Sequence, residues 1–296
     1  MNPSESHLPP PTVSVVIPSL NGARTLPVQL EALARQRTRR TYEVLVADNG
    51  STDDTAAVVA EHAARWPSLR LVDASERVGS NVARNVGCRE ARGELILLCD
   101  SDDEVHEDWL ERMADGLERA DGVGGRLDLL ALNPRYAAVN PGEPPIAGVT
   151  TPLGFLPRPI GANAGFRRSV WEELGGFDED YARGGVETEF FWRLQLAGHT
   201  LAEVPDAVVS YRLRDSFRKS VKQMYIWGRQ HVMLYRDFRG RGLIYSPRET
   251  VAAWAALAPL VYKVLRFRTH RTALGQQLGY RVGRCVGSWK YRTFFV

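Results

Sequence analysis

The sequence predicts an α/β fold built on a doubly wound, mainly parallel sheet. Three observations carry that expectation. Short apolar runs alternate with longer amphipathic segments through the first hundred or so residues. The runs VSVVIP, YEVLVAD and ELILLCD are largely apolar at consecutive positions, as strands covered on both faces must be. Polar residues gather where those runs end, which is the edge at which open α/β sheets bind ligands.

The elements follow in order. Residues 1–12 are polar and proline-rich and read as a disordered lead-in. Val13–Pro18 is the first strand. Ala23–Arg37 is a helix, with Leu26, Leu30 and Leu33 at helical spacing. Tyr42–Asp48 is the second strand, and Asp53–Arg65 a helix with Ser51 or Thr52 available as its cap. Leu69–Ala74 is a third strand, Ser80–Arg92 a third helix and Glu94–Asp100 a fourth strand. The rhythm breaks over Asn133–Ala162, which holds seven of the 17 prolines and reads as a long loop of the kind that serves as a lid or binding loop. Regular structure resumes near Asn163–Phe166, with helices expected at Ser169–Leu174 and Glu187–Ala197. From Asp215 onward the pattern is a helical C-terminal extension.

Composition excludes several classes. The chain has 296 residues, 44% hydrophobic and 25% charged, enough to bury a full core without staples. Three widely spaced cysteines (Cys88, Cys99, Cys285) make neither a disulfide framework nor a zinc-ligand pattern and fit a reducing cytoplasm. No signal peptide is expected from MNPSESHLPPP, and no uncharged apolar run reaches the roughly 18–20 residues of a spanning helix. The net charge of +3 conceals a division. Arg214–Val296 holds 17 basic and 3 acidic residues, and the remainder 21 basic and 32 acidic. Domains are therefore expected at 13–213 and 214–296, the second preferring a polyanion or an anionic surface.

Asp100-Ser101-Asp102-Asp103 is the sharpest polar cluster. Carboxylates crowded at a strand end repel one another unless a cation sits among them, and hard oxygen ligands suit Mg²⁺ or Mn²⁺. The same residues also fit a solvated acidic turn ahead of a helix. Gly79–Gly93 reads as a helix with a glycine entry, whose Arg84 either reaches a diphosphate or lies on the surface. No G-x-G-x-x-G follows the first strand and no P-loop pattern occurs, so dinucleotide and P-loop sites lose support.

The segments VSVVIPSLNGARTL, DNGSTDDT, GSNVARNVGCREARGELILLCDSDD and GANAGFRRSVWEELGGFDEDYARGGVETEFFWRL occur in this order. Together they resemble the family-two glycosyltransferases, inverting sugar-nucleotide enzymes of the GT-A fold, over about Val13 to Arg214. The resemblance implies metal-dependent transfer of a sugar from a nucleoside diphosphate to an acceptor hydroxyl. By the same resemblance Asp48 recognises the nucleotide base, and Ser19 and Asn21 form the wall of that pocket. Asp102 is the implied metal ligand, Asp100 lies nearer the ribose or sugar, and Arg84 meets the diphosphate. Gly161-Ala162-Asn163 lines the donor-sugar and acceptor side, so Asn163 is assigned to nucleotide-sugar binding.

The chain departs from the family pattern in several places. After Gly184-Gly185 the usual acidic pair is replaced by Val186-Glu187, followed by Glu189. Glu187 is the expected catalytic base, with Glu189 as the alternative. Both glutamates also suit a helix N-terminus on electrostatic grounds alone. Asn49 stands where a second aspartate is common and reads as a turn residue. No Q-x-x-R-W segment is present, which favours transfer of a single sugar over polymerisation. Ser210 stands where a metal-binding histidine is often found, so a third protein ligand is left unassigned.

The acceptor is expected to be lipid-linked, or a small natural product or saccharide. The competing functions are a nucleotidyltransferase and a catalytically degenerate binding subunit. In the tail, VAAWAALAPLVY followed by Lys263, Arg266, Arg268 and Arg271 fits three arrangements equally. These are peripheral contact with anionic lipid at the inner face of the cell membrane, a helical layer on the acidic domain, or a homodimer interface. No nucleic-acid partner is expected, and the expected location is the cytoplasm.

Overall fold

The structure is a computed structural model that describes residues 10–181, 186–214, 216–266 and 271–295. The chain divides into two compact units. One comprises the chain up to Thr150, residues 157–181 and Val186–Leu213, and the other Thr151–Leu156 and Arg214–Val296. Six residues of the proline-rich loop thus belong with the C-terminal unit.

The first unit opens with β1 (Val13–Ser19), α1 (Leu26–Ala34), β2 (Tyr42–Asp48), α2 (Thr55–Ala63), β3 (Leu69–Asp73), α3 (Ser80–Glu90) and β4 (Leu95–Leu98). It continues through β5 (Glu104–Val105), α4 (Trp109–Leu117), β6 (Gly122–Asp128), α5 (Pro134–Ala137), β7 (Val149–Thr150) and β8 (Arg158–Pro159). β9 (Ala164–Arg167), α6 (Arg168–Glu173), α7 (Val186–Leu196) and β10 (Leu201–Ser210) complete it. The main sheet has the order β3-β2-β1-β4-β9-β6-β10-β5. β1 runs parallel to β2 and β4, β2 to β3, and β6 to β10, whereas β9 is antiparallel to both its neighbours and β5 is antiparallel to β10. The sheet is therefore mixed but mainly parallel.

Strand alternation divides the core into two layers. Val13, Val15 and Ile17 of β1, with Val44 and Val46 of β2, pack with Leu26, Leu30 and Leu33 of α1 and with Trp109, Leu110 and Met113 of α4. Val16, Leu45, Ile96 and Leu98 point to the other face, where Cys88 of α3, Trp171 of α6 and Phe190, Phe191 and Leu194 of α7 cover them. A two-residue side-chain period with helices on both faces explains why these strands read as unbroken apolar runs.

Three local expectations change. α1 starts at Leu26 because Ala23–Thr25 form a turn in which the Leu26 amide bonds to Gly22 O. Neither Ser51 nor Thr52 caps α2; Asp53 instead accepts from the Thr55 amide and hydroxyl, while Ser51 and Thr52 bind the Asn21 turn. The Asn133–Ala162 segment also holds α5 and a two-stranded ladder of β7 and β8.

The C-terminal unit is helical: α8 (Phe217–Phe238), α9 (Pro247–Ala255), α10 (Leu257–Arg266) and α11 (Arg271–Lys290). Ser216 caps α8 by accepting from the Lys219 amide. Among the described residues no helix is long and apolar enough to cross a membrane.

Candidate active site

The site forms at the carboxyl ends of β1, β2 and β4, with α3, α7 and β8 around it. Ser19 and Asp48 are direct neighbours in the register of β1 and β2. Ser19 Oγ is buried and has no hydrogen-bond partner among the described residues. Asp48 Oδ1 accepts from the Ser51 amide at 3.0 Å, which curls the loop after β2 around the carboxylate. Asn21 adopts a left-handed φ of 55°, which asparagine tolerates better than most residues. Its Oδ1 accepts from the Thr52 amide at 2.8 Å, and its own amide donates to Ser51 Oγ at 2.8 Å. The loops after β1 and β2 are thereby tied into one rim.

Asn49 does more than turn the chain. It is buried, its Oδ1 accepts from the Gly79 amide at 2.7 Å, and its Nδ2 donates to Ala74 O and Arg77 O at 2.6 and 2.9 Å. Those bonds set the entry of α3, the helix that carries Arg84. An aspartate here would have no proton for the two carbonyls.

The acidic turn between β4 and β5 is held from below by buried Gln29 of α1. Gln29 Nε2 donates to Asp100 O at 3.3 Å, and its Oε1 accepts from the Val105 amide at 3.0 Å. Asp100, Asp102 and Asp103 present carboxylate oxygens that all lie within 4.8 Å of one another. Three hard oxygen donors so placed fit a divalent cation such as Mg²⁺ or Mn²⁺. Arg212 closes the other side of the turn: its amide donates to Asp103 Oδ1 and its Nε to Asp102 O, both at 2.8 Å. Ser210, two residues earlier, is turned instead to His106 Nε2 at 3.2 Å.

Arg84 is the centre of the arrangement. Its guanidinium is nearly fully buried, with Nη2 3.6 Å from Asp100 Oδ1 and Nη1 3.7 Å from Glu187 Oε2. Nε and Nη1 have no hydrogen-bond partner among the described residues, an unusual state for buried donors. Gly161 makes the room, because a Cβ there would sit 2.6 Å from Arg84 Nη2.

Glu187 lies in the first turn of α7 with its side chain 14% exposed. Arg158 Nη1, delivered by β8, donates to Glu187 Oε1 at 3.2 Å and to Pro159 O at 3.1 Å. The two carboxylate oxygens thus face two different guanidiniums. Glu189 is turned elsewhere. It is buried in an ion pair with Arg193, whose Nη1 and Nη2 also donate to Leu174 O and Gly176 O at 2.6 Å each. Burial raises the Glu189 carboxyl above its ordinary value, against the opposing pull of Arg193. The glycine pair Gly184-Gly185 lies outside the described residues.

Of the residues singled out in the sequence, Arg84, Asp100 and Glu187 meet at ion-pair distance, and Asp102 shares the acidic turn. The Asn163 side chain does not join them. It is fully buried. Its Oδ1 accepts from Trp109 Nε1 at 2.8 Å and its Nδ2 donates to Arg126 O and Ala207 O at 2.9 Å. Arg158 and Arg212 escaped sequence reasoning. The only signal for Arg158 was its position in the long proline-rich loop.

A mixed, mainly parallel sheet covered by helices is the fold of the GT-A glycosyltransferases, and this protein is a glycosyltransferase. It belongs to Glycosyl transferase family 2, whose family model matches residues 14–175, more than half of the chain. The chain is 28% identical over 243 residues to glycosyltransferase AglE of Haloferax volcanii, covering 77% of this chain and 78% of that protein. In fold it is similar to the mannosyltransferase PcManGT from Pyrobaculum calidifontis, solved with GDP-Man and Mn²⁺. That match has a TM-score of 0.69 at 21% identity and covers 96% of this chain and 90% of the other. S. aureus TarS 1-349, solved with UDP, superposes with a TM-score of 0.55 at 19% identity, covering 96% and 93% of the two chains.

Proposed function

We propose that this enzyme transfers a single sugar from a nucleoside-diphosphate sugar to an acceptor hydroxyl, inverting the anomeric carbon, with Mg²⁺ or Mn²⁺ bound at Asp102 and its neighbours. The observation that carries the reading is the buried Arg84 seated between Asp100 and Glu187. A cation there meets the leaving diphosphate on one side and stands beside a base on the other.

In this scheme Ser19, Asn21 and Asp48 form the nucleotide end of the site. Asp48 accepts from the base, and the buried Ser19 hydroxyl offers a hydrogen bond that no described residue takes. Asp100 orients the ribose or sugar. Arg84 offers the diphosphate N–H groups that have no hydrogen-bond partner among the described residues, and donors aimed at developing charge have most effect there. Glu187 takes the proton of the acceptor hydroxyl at a carboxylate oxygen as that hydroxyl oxygen forms its bond to the anomeric carbon. The bond from that carbon to the diphosphate oxygen breaks on the opposite face, and the nucleoside diphosphate leaves with the electron pair. Arg158 keeps the Glu187 carboxylate aimed. A bound divalent cation supplies additional neutralisation of the diphosphate charge. The acceptor is a lipid-linked molecule, a saccharide or a small natural product. The fold match to proteins solved with GDP-Man and with UDP supports a nucleotide-sugar donor.

The test is thermal stability against UDP, GDP, TDP and CMP sugars with and without Mn²⁺, because a ligand of the native state raises the midpoint by mass action. A metal-dependent rise with one nucleotide, absent in Asp102→Ala, is expected. No rise with any donor, or a product that keeps the donor's anomeric configuration, sinks the scheme.

A further inference from the structure

The C-terminal unit presents an exposed apolar surface on α11. α11 packs on α8 through glycines: a Cβ on Gly279 would lie 2.8 Å from Val221 O, and one on Gly283 2.1 Å from Tyr225 O. Only glycine permits that backbone approach, so the rotation of α11 about its axis is set. The side turned outward carries Leu278, Val282, Val286 and Trp289, which are 40%, 48%, 37% and 85% exposed. Spacings of four, four and three keep these side chains in one stripe along the helix. None of the exposed positions on α11 between Arg271 and Lys290 is charged, and both of those end residues are exposed. Tyr262 on α10 and Phe294 beyond α11 are each 70% exposed as well.

We propose that this stripe docks on an anionic lipid bilayer, with α11 lying in the plane of the interface. An exposed apolar line calls for an apolar partner. The charge of the flanking sequence selects which one, since the stretch from Thr250 to Val296 holds eight basic residues and no acidic one. A bilayer with acidic headgroups offers hydrocarbon to the stripe and negative charge to Arg271, Lys290 and Arg292. Trp289 sits at the end of the stripe, where an indole ring suits the headgroup boundary. The stripe extends about 16 Å at a helical rise of 1.5 Å per residue, roughly half a hydrocarbon core, so α11 rests on the membrane and does not cross it. A second copy of the chain is the poorer partner, because a two-fold contact would set one acid-free segment against another.

The experiment is co-sedimentation of the full chain with vesicles of phosphatidylcholine alone or mixed with phosphatidylglycerol. Binding to the mixed vesicles, weak binding to neutral ones and release at high salt are expected. The double variant Val282→Asp/Val286→Asp alters only exposed positions and is checked for an unchanged melting midpoint. It is expected to bind about tenfold less, since charges in the apolar boundary oppose insertion. Absence of binding to anionic vesicles at low salt overturns the proposal, as does equal binding by the double variant. A solution dimer that the double variant converts to monomer reassigns the stripe to a contact between copies and overturns it too.

Discussion

The Arg84 guanidinium lies 3.7 Å from the Glu187 carboxylate, although one belongs to α3 and the other to the first turn of α7. The same guanidinium reaches Asp100 at 3.6 Å. One cation therefore joins the helix after β3, the acidic turn after β4 and the helix that precedes β10. A network held by ion pairs at long range is sensitive to small displacements of its centre, and its members separate experimentally by what each variant loses.

Glu187→Gln is expected to lower kcat by about 10²- to 10⁴-fold, the usual contribution of a positioned general base, while the metal-dependent thermal shift with donor survives. Glu189→Gln is expected to lower the melting midpoint and leave turnover per folded molecule near that of the parent, because Glu189 is used up in holding Arg193. Transfer assays paired with melting curves check both. Full activity in Glu187→Gln would move the base elsewhere.

Gly161→Ala tests the seat of Arg84. The added methyl would stand 2.6 Å from Arg84 Nη2, the far end of a flexible side chain, so the guanidinium gives way and the backbone holds. A misplacement of that size is expected to reduce kcat/KM roughly 10- to 100-fold with little change in melting midpoint. Steady-state kinetics on the purified variant decide it. A large loss of stability with normal kinetics would mean that Gly161 serves packing alone.

Asn163→Ala is expected to do the reverse. It strips partners from the Trp109 indole N–H and from two backbone carbonyls in a fully buried place. A cost of about 2–3 kcal/mol or more follows from leaving such groups unmatched. Denaturant unfolding measures it, and donor affinity of the folded fraction should be unchanged. A selective loss of donor binding at unaltered stability would return Asn163 to the site.

Acid should destabilise the fold. The Thr38 hydroxyl, bonded to the Glu111 carboxylate, holds that group below the ordinary carboxylate range, with the Arg39 amide and the Arg39 and Arg40 guanidiniums assisting. The Thr200 amide and hydroxyl do the same for Asp121. Both groups have folded pKa values below their unfolded ones. Their stabilisation is present above the unfolded value near about 4 and is lost as pH falls through the folded values. Glu189 has the opposite sign, since burial raises it, so its contribution is full at low pH and lost as pH rises through its folded value. The melting midpoint is expected to drop on acidification below about pH 4, with a shallower acid limb in Glu111→Gln. An acid limb of equal slope in that variant would count against the assignment.

Much of the fold was legible because its signals are local. Consecutive apolar residues in β1, β2 and β4 betray burial on both faces, and Leu26, Leu30 and Leu33 mark α1 by period alone. The acidic turn was legible for the same reason: Asp100, Asp102 and Asp103 fall within four consecutive residues, and a strand end puts them at one edge whatever the remaining chain does. The boundaries of α1 and α2 were less legible. There, residues that read as caps are engaged by the neighbouring loop, as Ser51 and Thr52 are by Asn21.

The site divides along the same line. The strand ends, the glycine-entry helix with Arg84 and the acidic turn are each set by residues close together in the chain, and so can be read from it. Packing between distant elements is what makes Glu187 and not Glu189 face Arg84, brings Arg158 from a proline-rich loop to the same carboxylate, and closes the acidic turn with Arg212 in place of Ser210. Tertiary structure alone also set the Asn163 side chain against the Trp109 indole. Side chains at neighbouring helical positions point in directions about 100° apart. Which of them meets a distant partner depends on how helix and sheet pack, and local patterning carries no record of that.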